Sequence, residues 1–142
     1  MAKHQMQEAT GLEELRKEPM MDHLLTSLEQ GKDIGHYGRL VFVMVARHFL
    51  SEDKVVKYLT LDKDCDEAKA RLLFRQVNAH DYNPPKRERI IEWMEQQGFP
   101  ICPDAGDPDA CNVYKNLNFP EKIYDHISQY QTAKMESEGN HA

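Results

Sequence analysis

The chain predicts an all-α fold, a single compact multi-helix domain, and three observations carry that expectation. Apolar residues recur at three- and four-residue spacing along most of the 142 residues. No segment alternates apolar and polar residues as a half-buried strand does. The breaks between apolar stripes fall on Pro, Gly, Asp and Ser, the residues that start, cap and stop helices. Hydrophobic content of 40% and charged content of 30% are those of an ordinary folded domain. A chain of 142 residues can bury one core and is short for two.

Taken in order, residues 1 to about 17 are polar and read as a flexible or weakly helical N-terminal segment. Pro19 suits a helix first turn, and Leu24, Leu25 and Leu28 give a stripe that ends near Gly31. The next helix is expected from about Tyr37 to Leu50. Its apolar residues, Leu40, Val41, Val43, Met44, Val45 and Phe49, surround the cylinder, which marks the central buried helix. Ser51 offers a partial cap to a short helix presenting Val55, Val56 and Leu59. Asp64 or Asp66 can cap a fourth helix from Glu67 to Val77, with Ala70, Leu73, Phe74 and Val77 inward. Tyr82-Asn83-Pro84-Pro85 breaks it, and Pro85 can start a fifth helix stopped by Gly98, in which Ile91, Trp93 and Met94 read as core. After a Pro/Gly/Asp loop, one or two helical turns are expected between Pro108 and Leu117, and a last helix from Pro120 carries Ile123, Tyr124 and Ile127. The helical domain is thus expected over residues 18–131, with a disordered tail at 132–142.

Charge and cysteine content narrow the function classes. A formal net charge of −6 argues against a protein that coats nucleic-acid backbone without regard to sequence. Between Ala68 and Ile90, however, Lys69, Arg71, Arg75, Lys86, Arg87 and Arg89 face only Asp81 and Glu88. An acidic chain with one basic zone suggests a local anion contact. Three of those cations, Lys86, Arg87 and Arg89, crowd a helix start, where positive charge opposes the helix dipole and an anionic partner would relieve it. The three cysteines, the lack of a hydrophobic signal core at the N-terminus and the lack of any apolar run near ~18 residues point to a cytoplasmic protein with no membrane partner.

Gly35-His36-Tyr37-Gly38-Arg39 places an imidazole and a guanidinium at the start of the most apolar helix. The first N–H groups of a helix have no intrahelical partner, and the dipole there favours negative charge. His36 and Arg39 would add charge-assisted donors to a phosphate at that end. The alternative is a capping or polar core histidine and an arginine in a surface salt bridge. Asp62, Asp64 and Asp66 alternate ahead of a helix, but without the glycine and the position-12 glutamate of a calcium loop. Cys102 and Cys111 read as paired buried thiols; a metal held by them with Cys65 is the alternative, against which stands the lack of a Cys-x-x-Cys pair.

These segments also follow a familiar order. Pro19-Met20 stands sixteen residues before His36 of His36-x-x-Arg39, and Ser51-Glu52-Asp53 introduces the short helix. Asp66-Glu67-Ala68-Lys69 opens the next, Tyr82-Asn83-Pro84-Pro85-Lys86-Arg87 follows, and Cys102 and Cys111 flank a Pro/Asp loop ahead of Pro120. In that order, over roughly Pro19 to Ile127, the chain resembles the C-terminal, iron–sulfur-type domain of the archaeo-eukaryotic DNA primase large subunit. The resemblance implies an all-helical fold and a cluster held by four cysteines. Met20 and Arg87 occupy two of those four cysteine positions, so the form is divergent. No cofactor is expected, an iron–sulfur cluster or zinc on the incomplete cysteine set being the alternative.

The function the resemblance implies is DNA replication: a non-catalytic accessory domain for primer synthesis. His36 and Arg39 would contact the 5′-triphosphate of the initiating nucleotide or primer. Lys69, Arg71, Arg75, Tyr82, Lys86 and Arg87 would flank the template or primer backbone. The partners would be a nucleoside triphosphate, primer-template nucleic acid and a catalytic primase subunit or domain, which would carry the metal-dependent bond making. The competing expectations are a helical protein-interaction module that binds no nucleotide, and a thiol-based metal or redox protein.

Overall fold

The computed structural model describes residues 10–119, and over them the chain is one helical domain without a strand. The stretch at residues 10–16 is helical (α1). It is followed by α2 (Pro19–Glu29), α3 (Gly35–Ala46), α4 (Glu52–Leu59), α5 (Glu67–His80), α6 (Arg87–Met94) and α7 (Val113–Asn116). The expected helix from Pro120 and the tail at 132–142 lie outside the described residues.

Local chemistry sets most of the ends. Pro19 opens α2, and the buried Glu18 caps it by accepting from the Met20 N–H. Lys32 N–H reaches back to Ser27 O past Gly31, closing the C-terminus. Ser51 Oγ caps α4 through Lys54 N–H, and Asp66, rather than Asp64, caps α5 through Lys69 N–H at 2.8 Å.

Four bounds differ from expectation, two for a tertiary reason and two because the local backbone tightens. The described part of the N-terminal segment, from residue 10, packs on the domain: Leu15 is fully buried, and Arg16 pairs with Asp22 and Glu29 of α2. Gly11 lies against the Phe49 carbonyl, where a Cβ would come within 2.1 Å of the oxygen. The central helix begins earlier, at Gly35, and ends at Ala46, because Phe49 and Leu50 N–H both turn back to Ala46 O. α5 runs one turn further, to His80, closed by Asp81 in the left-handed region (φ 49°) and held there by Arg47 at 2.8 Å. α6 starts two residues after Pro85 and stops at Met94, well before Gly98, because the following N–H groups make tight i→i+3 bonds.

The core is organised around α3, which packs against α2, α4, α5 and α6. Val41, Phe42, Val43, Val45 and Ala46 are fully buried, so this helix is apolar around nearly its whole circumference as its sequence requires. Leu24, Leu25 and Leu28 of α2, Val55 and Leu59 of α4, and Ala70, Phe74 and Val77 of α5 close over it.

Candidate functional site

The mouth of α3 is filled by the protein itself. Gly35 sits at φ 78°, a conformation open to glycine, and its N–H donates to Asp33 Oδ1 at 2.8 Å. Tyr37 N–H donates to the Gln97 carboxamide oxygen at 3.0 Å, while Gln97 Nε2 donates to Ile34 O at 2.9 Å. Arg39 turns inward: its Nη1 meets Asp62 Oδ2 at 3.0 Å and Asp33 Oδ1 at 3.1 Å, with only 4% of the side chain exposed. Asp62 also accepts from the Ile34 and Asp64 N–H groups. Arg39 therefore joins α3 to the loop before it and to the turn between α4 and α5, the salt-bridged alternative to a phosphate ligand. His36 is exposed and meets the Tyr37 ring edge-on at 5.2 Å.

The other basic residues separate into two groups. Arg71 of α5 binds Glu52 at 2.7 Å and Asp53 at 3.1 Å across to α4, and Glu67 at 3.1 Å along its own helix. Those carboxylates hold the Arg71 guanidinium above its ordinary pKa, hydrogen bonding to Asp53 contributing most. Arg75 extends to Glu52 and Lys69 to Asp64. This cluster stitches two helices together. Arg87 leaves it too, its Nη2 donating to Ala105 O at 2.7 Å.

Tyr82 and Lys86 come together elsewhere, on a groove of about 600 Å³ between α3 and α6. Leu40 and Met44 of α3 and Trp93 of α6 give it an apolar floor. Lys86 and Arg89 bring two cations to it, and Glu88 and Glu92 two carboxylates. Arg89 lies over the Trp93 ring at 6.0 Å and pairs with Glu92 at 3.5 Å. Tyr82 is exposed and stacks on His80 at 5.0 Å. Trp93 stacks on Tyr37 at 5.6 Å, so a ladder of rings runs from His36 through Tyr37 to the groove.

Sequence reasoning placed Trp93 in the core; the half-buried ring does pack against the core, and its other side borders this groove. The signal available was its four-residue step from Arg89, which puts cation and ring on one helix face. Leu40 and Met44 share a face of α3 by the same spacing.

The cysteines also resolve differently from paired free thiols. Cys102 and Cys111 form a disulfide, while Cys65 is free and buried at the α4–α5 turn. Burial pushes the Cys65 thiol up from its ordinary pKa, so it stays protonated at neutral pH. A four-thiolate cluster does not fit this chain. Met20 and Cys111 border one small cavity, Arg87 reaches into the loop between the two cysteines, and its buried Nε makes no hydrogen bond. A thioether, a cation and an oxidised cysteine pair thus stand where thiolates would be needed. Among the described residues, no group of three His, Cys, Asp or Glu is placed to hold a metal ion, and no helix is long and apolar enough to cross a membrane. No family model, curated protein or solved structure significantly matches this chain.

Proposed function

We propose that this chain is a non-catalytic accessory domain for primer synthesis that holds the 5′ end of the initiating nucleotide or primer for a catalytic primase subunit or domain. The observation that carries the reading is the α3–α6 groove, which joins exposed and half-buried rings to two cations in one place. A nucleotide end needs both: a face on which the base stacks and a positive charge for the phosphates. In this arrangement Tyr82 takes a base, Lys86 and Arg89 take phosphate oxygens, and His36 stands at the outer end of the ring ladder. Arg39 has a structural part, since its donors are directed to Asp33 and Asp62. The convergence of Met20, Arg87 and the Cys102–Cys111 loop also supports the likeness to the primase large-subunit domain, because the resemblance aligns those four positions with one another.

The test is binding of a short oligonucleotide bearing a 5′-triphosphate against the same strand with a 5′-hydroxyl. Wild type is expected to prefer the triphosphate, and Lys86→Ala with Arg89→Ala to lose that preference while staying folded. A helical protein-interaction module is the second reading. It is favoured by Glu88 and Glu92 sharing the groove with the cations and by the self-capped mouth of α3. Absence of any oligonucleotide binding by the folded wild type would decide for it.

A further inference from the structure

The Cys102–Cys111 bond closes a loop over residues 103–110 that grips α6 at both ends. At the first residue of α6, Arg87 donates to Ala105 O at 2.7 Å. At the last, Met94 Sδ accepts from the Cys102 N–H at 3.4 Å. Between those two grips, α6 supplies Glu88, Arg89, Glu92 and Trp93 to the groove. Cys111 is held at φ 63°, in the left-handed region that a non-glycine residue rarely adopts. Both cysteines are nearly fully buried, yet Cys111 borders a second cavity of about 270 Å³ with Asp104, Asp107 and Asp109 around it.

We propose that this disulfide is a reversible redox clasp on α6. Oxidised, it fixes α6 and the groove wall; reduced, it frees Cys111 from its strained backbone and lets both grips loosen. In a reducing compartment disulfides that form are commonly transient and redox-sensing, which is the use this one suits. A small dithiol reaches Cys111 through the cavity. Its thiolate attacks Cys111 Sγ, the bond to Cys102 breaks, and Cys102 leaves as a thiolate that takes a proton. The reductant's second thiol then displaces Cys111 and the reductant becomes a cyclic disulfide, two electrons having passed to the protein. Glutathione disulfide reverses the change and leaves as two glutathione thiols. The cavity sets Asp104, Asp107 and Asp109 against Lys115, so it repels the doubly charged glutathione thiolate more than the singly charged dithiothreitol thiolate, and dithiothreitol is expected to reduce the bond faster at equal thiolate concentration.

The effect on α6 stands on the clasp alone; the effect on ligand binding rests on the groove being the binding site. Trp93 is the single tryptophan of the chain and lies on α6, so its fluorescence reports the helix without any ligand. Oxidised wild type should titrate one thiol in denaturant and fully reduced protein three, for the three cysteines. On reduction, Trp93 emission is expected to move to the red while the far-ultraviolet helical signal is kept, and glutathione disulfide should restore it. Cys102→Ser with Cys111→Ser should give the shifted emission under both conditions, and Cys65→Ser should keep the response. Affinity for the 5′-triphosphate oligonucleotide should fall about fivefold or more, the low end of ordinary coupling between sites. Unchanged emission after complete reduction overturns the clasp, and so does loss of the helical signal, which would make the bond a plain staple of the fold. A shift with unchanged affinity overturns its control of the groove. A shift in a protein that binds no oligonucleotide in either state supports the clasp and removes the nucleotide reading instead.

Discussion

The Arg39 guanidinium donates to Asp62 Oδ2 at 3.0 Å with both side chains withdrawn from solvent, at 4% and 0% exposure. The pair joins the first turn of α3 to the turn that precedes α5, and Asp62 in addition accepts two backbone N–H groups. Removing one partner of a buried pair strands the other charge, at a cost of about 3–5 kcal/mol. Arg39→Met is therefore expected to lower the urea unfolding midpoint sharply. Arg39→Lys, which keeps the charge but carries it on a shorter side chain than the one whose Nη1 meets both Asp33 and Asp62, should fall between it and wild type. A residue serving only a ligand would leave the midpoint unchanged.

Gln97 makes a comparable prediction at lower cost. Its carboxamide accepts from Tyr37 N–H and donates to Ile34 O and Phe99 O, so one side chain satisfies the start of α3 and the turn after α6. Gln97→Ala should cost about 1–2 kcal/mol, in the range of a lost helix cap. Gly35→Ala should cost about as much for a different reason: its φ of 78° is strained for any side chain, and the new Cβ would lie 2.5 Å from the Gln97 oxygen. The two losses are expected to be non-additive, since both disturb the same contact, and a double-mutant cycle in urea checks this.

The helices were legible because their signals are local. Pro19 at a first turn, Ser51 and Asp66 three residues before the N–H each caps, and the continuous apolar surface of α3 act over one or two turns. What could not be read was the partner of each charge. Arg39 and Asp62 are 23 residues apart, Tyr37 and Gln97 60, and no periodicity couples them. The same blindness affected the site. His36-x-x-Arg39 has the residue types of an anion cradle, and only the positions of Asp33 and Asp62 reveal that the arginine is already taken. Trp93 read as core by hydrophobicity, and it does pack there, but its second role was hidden. Its place beside Leu40 and Met44 at an open groove comes from the crossing of α3 and α6, which pattern alone does not give.

At the groove, phosphate and base contacts should separate by their salt dependence. Lys86→Ala and Arg89→Ala each remove one cation. Each should reduce the slope of log affinity against log salt by roughly 0.7 for a single strand, with little dependence on base sequence. Tyr82→Ala removes a stacking face, worth about 1–3 kcal/mol per base, and should weaken binding at every salt concentration without altering the slope. Arg71→Ala in the α4–α5 network, outside the groove lining, should alter neither, because its donors are engaged by Glu52, Asp53 and Glu67. Titrations at several salt concentrations, followed by anisotropy, distinguish the three outcomes.

The buried Cys65 thiol fixes the alkaline limb of stability. Burial raises its pKa in the folded protein, the neighbouring Asp62 adds to the rise and Arg39 opposes it. The unfolded chain then loses this proton first, at about pH 8.5, while the folded protein still holds it. Between those two pKa values the unfolded state binds fewer protons, so stability present at neutral pH falls as pH rises. Tyr58, also raised chiefly by burial, adds a second decline that begins near pH 10. Urea midpoints are therefore expected to be flat from about pH 7 to 8 and to fall above about pH 8.5. Cys65→Ala should delay the onset of that fall towards pH 10, whatever its own cost at neutral pH. In the native wild type at pH 8, iodoacetamide should modify Cys65 far more slowly than in the unfolded chain, since the thiolate is the reacting species and both burial and protonation withhold it.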